Sequence, residues 1–250
     1  MKTYNRSVRL FLAVLIIAVG AAAVVSAKGK QEQADYLTIP GRHGDTWKLE
    51  ATNPILIGGH GDNFVYDGKR AVALEGTATV DVNARTNTGL MEVNFKGTIN
   101  PEKDKTYTGD IRIVYERFDS DGPEFWEGGI ADFIYLHGDT GQEAPVMPKV
   151  RTSLASWGPA DVYVNGELIY RELVGHMMLT EGSRNRETFA IYNSDESGFY
   201  SPKDPTNSSI AHPDILELHF VAHTVVQDQG NFPPHTVWIH LNFQNVKELR

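Results

Sequence analysis

No cysteine occurs in the 250 residues. Disulfide staples, thiolate metal sites and cysteine nucleophiles are therefore all excluded. Any metal must be held by histidine, aspartate, glutamate or a carbonyl oxygen. Sustained helical periodicity is also missing, because outside the N-terminal 27 residues no segment repeats apolar residues at a 3.6-residue period between caps. There is no Gly-x-Ser-x-Gly elbow and no glycine-rich phosphate loop. Serine, histidine and aspartate are plentiful, so a catalytic triad stays open without a local signature.

There is one long apolar run, Leu10 to Val25. It follows Lys2, Arg6 and Arg9 and ends in Val25-Ser26-Ala27. Positive charge, apolar stretch and small-residue exit in that order predict a cleaved secretory signal over residues 1–27. The run is shorter than the roughly 20 residues a spanning helix needs. The exported part is expected in a secreted or periplasmic setting, with residues 28–36 as a flexible leader. Residues 37–250 then form one domain, with a histidine-rich part at 160–250.

Positive charge is scarce in that part. Removing residues 1–27 takes away three basic residues and no acidic ones, leaving 20 Lys+Arg against 32 Asp+Glu, a net charge of −12. So acidic a chain repels phosphate backbones and anionic lipid, which argues against nucleic acid and direct membrane-surface binding.

What remains is strand pattern. In residues 71–82, Val72, Leu74, Ala78, Val80 and Val82 share one face. In residues 90–99, Met91, Val93, Phe95 and Ile99 do the same. Period two marks a half-buried strand. Further strands are expected at 106–118, 130–136, 160–180, 186–192, 214–226 and 236–246. Asp67-Gly68 and Asn165-Gly166 have the chemistry of two-residue hairpin turns. Many strands, short turns and no helices predict an all-β, antiparallel β-sandwich of jelly-roll type. The irregular stretch 193–213 is long for a compact β domain and marks a functional or mobile loop.

Six of the nine histidines fall after residue 175: His176, His212, His219, His223, His235 and His240. Glu217, His219, Val221 and His223 share the polar face of one expected strand, and Trp238, His240 and Asn242 that of the next. His219 and His223 are about 13 Å apart along a strand, too far to chelate alone. Antiparallel pairing would bring His240 beside one of them, with cross-strand Cβ atoms about 5 Å apart. His176 lies on a third strand. The candidate transition-metal ligands are thus His176, Glu217, His219, His223, His235 and His240, an N/O donor set open to zinc, copper or iron. Met177 and Met178 are either core residues or soft donors favouring copper. The connection Gln227–His235, with Asp228 and Asn231, points to a pocket at the strand ends. A polar, metal-free ligand pocket is the alternative use of the same residues.

Asp119, Asp121 and Glu124 flank a turn with Gly122 and offer alternating carboxylates for calcium, although the rest of an EF-hand loop is missing. Residues Ala160–Glu167 resemble a hairpin of jelly-roll carbohydrate-associated modules, which implies a glycan- or surface-binding module. Independently, aromatics near turns such as Trp126 and Trp157 have the flat faces that stack on sugar rings. A cupin-like metal enzyme is a third reading, weakened because no His-x-His pair is present. The leading expectation is an exported β-sandwich that binds a transition-metal ion as a carrier, sensor or binding module.

Overall fold

The computed structural model describes residues 46–60, 64–118, 129–132, 135–136, 148, 150–201, 212–224 and 235–249. The expected signal segment and leader, Asp119, Asp121, Glu124, Trp126 and residues 225–234 lie outside them. The described chain is all β. Its strands are β1 (Thr46–Ile57), β2 (Ala71–Ala73), β3 (Glu75–Asn83), β4 (Thr88–Glu102), β5 (Lys105–Tyr115) and β6 (Ile130–Ala131). They continue with β7 (Tyr135–Leu136), β8 (Arg151–Val164), β9 (Glu167–Gly182), β10 (His212–His223) and β11 (Trp238–Glu248).

The sheet closes on itself. Its order is β1-β3-β4-β5-β8-β9-β10-β11, and β11 returns to pair antiparallel with β1 from Leu49↔Glu248 to Leu56↔Leu241. The result is a closed eight-stranded antiparallel barrel, with β2 added on β1 and the short β6 and β7 on β8. This corrects the expected sandwich. In both architectures each strand has one buried face, so alternation cannot separate them. Closure depends on a pairing between the first and last strands, which leaves no local trace.

Inward-facing residues follow the alternation. Ala78, Val80 and Val82 on β3, Met91, Val93 and Phe95 on β4, and Ile111, Ile113 and Tyr115 on β5 join one core with Leu218, Phe220, Leu241 and Phe243. An eight-stranded barrel is just wide enough to be filled by side chains, and Tyr115, Phe220 and Phe243 are among the largest fully buried ones here. Val72, expected on the inner face, is instead 49% exposed, because Leu74 separates β2 from β3.

Tight turns set the registers. Asn165 and Gly166 take positive φ and join β8 to β9 at Val164↔Glu167, as expected. Lys103-Asp104 makes a second two-residue hairpin between β4 and β5. Asp67-Gly68 is no hairpin: it turns within the long connection from β1 to β2, where Gly68 N–H donates to Val65 O. Residues 186–192 form no strand. Asn185 Oδ1 accepts from the N–H groups of Glu187 and Thr188, which commits the backbone to a turn.

The wall has two kinds of outer face. On β3 to β5 it is wet and carries exposed ion pairs such as Arg112–Glu92. From Met178 to Thr180 on β9, Glu217 to Val221 on β10 and Trp238 to Gln244 on β11 it is buried. Residues 64–66 and 183–200 lie over it, tied together by Ile191 N–H to Tyr66 O and by Arg184. Ile55, Ile57 and Val65 form a small second core under this cover, packed by Phe189 and Ala71.

Candidate functional site

The histidines sit on the outer wall of β8 to β11, beneath and beside that cover. Register places them in rows. His219 lies between Met178 on β9 and Asn242 on β11; Val221 lies between His176 and His240; His223 lies between Val174 and Trp238. Trp157 on β8 extends the second row through His176. The expected coincidence of the polar faces of β10 and β11 is therefore found. The six candidate ligands fall into three groups along these rows.

The deepest group centres on Glu217, which is fully buried. Its Oε1 accepts from Arg184 N–H at 3.0 Å and Gln244 Nε2 at 3.2 Å. Its Oε2 accepts from Ser183 Oγ at 3.0 Å, His219 Nε2 at 3.1 Å and Asn242 Nδ2 at 3.2 Å. Burial pushes the carboxyl up, but the hydrogen bond and charge of His219 and the backbone donors outweigh it and hold the group at about 2. Arg184, also buried, is lowered by burial to about 10, with the Glu217 charge opposing that shift. It remains a cation at neutral pH and balances the carboxylate. Its guanidinium donates to Phe64 O at 2.6 Å, Phe189 O at 2.7 Å and Val65 O at 3.1 Å, pinning the cover to the wall.

Because a carboxylate only accepts, His219 donates from Nε2. Its Nδ1 lies 3.4 Å from His240 Nε2 and 3.4 Å from Asn242 Nδ2. Both rings are 1% exposed, and Phe64 meets His240 edge-on with centroids 5.8 Å apart.

The second group stands at the end of β10 and β11. His223 and His235 pack against each other with centroids 4.1 Å apart and rings tilted at 40°, and each stacks on Trp238, at 5.6 and 5.4 Å. His223 Nδ1 donates to Thr224 O at 3.0 Å, and His235 Nδ1 donates to the same oxygen at 2.6 Å. A carbonyl can only accept, so both protons sit on Nδ1 and both Nε2 atoms carry lone pairs. Burial, helped by repulsion from His235 and opposed by the Thr224 bond, lowers His223 to about 4. Burial lowers His235 as well. Both rings are neutral at pH 7 and only half-buried.

The third group is His176, stacked on Trp157 at 4.8 Å and donating from Nδ1 to Ser156 O at 3.0 Å. One face of Trp157 is thus covered, and Trp47 and Trp238 are buried. An open groove of about 540 Å³ lies elsewhere, between Glu50, Arg186, Leu216 and Lys247.

Among the described residues no three of His, Asp and Glu are grouped to hold one metal ion. The expected joint site on three strands with Glu217 is therefore not assembled there, since the five donors around Glu217 already engage its oxygens. Sequence reasoning missed Ser183, Arg184 and Gln244. The first two lie past the end of a strand, and nothing in periodicity marks a residue that folds back onto its own barrel. Compared with known proteins, the chain matches no family model, no curated protein and no solved structure.

Proposed function

We propose that this is an exported barrel protein that binds a divalent transition-metal ion through Nε2 of His223 and Nε2 of His235. One observation carries the reading: both imidazoles give their Nδ1 protons to a single carbonyl, Thr224 O. Metal-bound histidines are typically oriented in this way, the far N–H being held by a carbonyl or carboxylate so that the near nitrogen presents its lone pair. Neither ring must shed a proton at neutral pH, and the half-buried setting leaves a way in. Two protein ligands leave coordination positions for water or an exchanging ligand, which suits a carrier or sensor better than a structural site. The acidic chain attracts cations in general. Zinc and copper(II) both suit imidazole donors.

Calorimetric titration of the full-length, untagged chain with zinc or copper(II) tests this. One ion per chain is expected. Replacing either His223 or His235 with alanine should weaken binding by at least the roughly 10–100-fold that loss of a supporting group costs at metal sites. The exposed His212, on the first residue of β10, serves as the control. Unchanged affinity in the His223→Ala/His235→Ala double variant would sink the proposal.

A further inference from the structure

The buried pair His219 and His240 has its own metal geometry. Two nitrogens 3.4 Å apart, each about 2.0 Å from one ion, subtend about 115° at that ion. This is close to a trigonal angle and leaves one position in the plane. His219 already has the supporting carboxylate that metal-bound histidines use, Glu217 on Nε2. Met178 stands directly across from His219 on β9, on the same outer face and 2% exposed. It supplies a thioether, a soft donor that selects copper(I) over harder ions.

Charge narrows the choice further. Glu217 and Arg184 already balance each other beneath the cover. A divalent ion would add two uncompensated charges to a dry site, and a monovalent ion only one, so the desolvation penalty favours the latter. Phe64 and Trp238 pack against His240 and keep the site from bulk water.

We propose that the outer wall of the barrel holds a buried copper(I) site, with His219 Nδ1 and His240 Nε2 as ligands and Met178 as the soft third donor. Binding requires His219 to keep its proton on Nε2 and His240 to carry its own on Nδ1. The ion enters and leaves as copper(I), so no electron is transferred. This site goes beyond the rim pair and does not rest on it.

The test uses the full-length chain without a tag, under anaerobic conditions, with copper(I) supplied as its acetonitrile complex and competed by a bathocuproine chelator. One slowly released equivalent is expected in the wild type and in the His223→Ala/His235→Ala variant. His240→Leu should lose it while still melting cooperatively, and Met178→Leu should weaken it roughly tenfold. Copper K-edge absorption on the wild type should show two imidazole nitrogens and one sulfur, a readout independent of any variant's folding. No copper(I) retained by folded wild type would overturn the proposal. So would copper kept by His240→Leu, or a shell without imidazole and sulfur. Loss confined to the rim variant would leave the rim proposal standing and remove this one.

Discussion

Replacing Glu217 with glutamine changes no volume and removes one charge, yet it should be among the most damaging single substitutions in the chain. The carboxyl lies at about 2 in the fold against an ordinary value of 4.5. That difference corresponds to about 3 kcal/mol of stability at pH 7. Because the folded value is the lower one, this contribution is complete above pH 4.5 and fades as pH falls towards 2. A glutamine substitutes poorly, because its amide oxygen is needed at the Arg184 N–H and Gln244 amide, which leaves a neutral N–H group instead of a charged acceptor among Ser183, His219 and Asn242. Urea unfolding followed by tryptophan fluorescence should place Glu217→Gln about 3 kcal/mol below the wild type at pH 7. The gap should narrow as pH falls from 4.5 towards 2, as the wild type begins to protonate. A variant within 1 kcal/mol of the wild type at pH 7, or a gap independent of pH, would refute the reasoning.

Arg184→Leu should cost about 3–5 kcal/mol, because it strands the Glu217 charge and leaves the carbonyls of Phe64, Val65 and Phe189 without their donor. Amide exchange should then accelerate across residues 183–200 before it does in β3 to β5, and a uniform change would speak against Arg184 as a local clasp. Gly68→Ala should destabilise by about 1 kcal/mol or more, since φ is +73° and a Cβ would run into Thr188 O under the cover. A thermal melt unchanged by Gly68→Ala would mean that this part of the cover is not closely seated.

The strands were legible because half of each is dry. Alternation from Ala78 to Val82 and from Met91 to Phe95 reports a one-sided surface, and Asn165-Gly166 reports a turn through its own backbone preference. Barrel closure was not legible, because Leu49 and Glu248 are almost 200 residues apart and no short window contains both. The histidine faces of β10 and β11 could be read in advance, since a period of two assigns sides unambiguously. Their meaning could not. On an outer wall such residues are expected to be wet, and only the cover, anchored by an arginine beyond the end of β9, makes His219 and His240 interior groups. The division into a buried pair and a rim pair follows from where that cover ends.

Copper(II) electron paramagnetic resonance on the full-length, untagged chain tests metal binding at the rim most directly. One equivalent of copper(II) should show coupling to two imidazole nitrogens, reduced to one in His223→Ala and in His235→Ala, and unchanged in His240→Leu. A spectrum without imidazole nitrogen, or one that both rim substitutions leave untouched, would contradict the account.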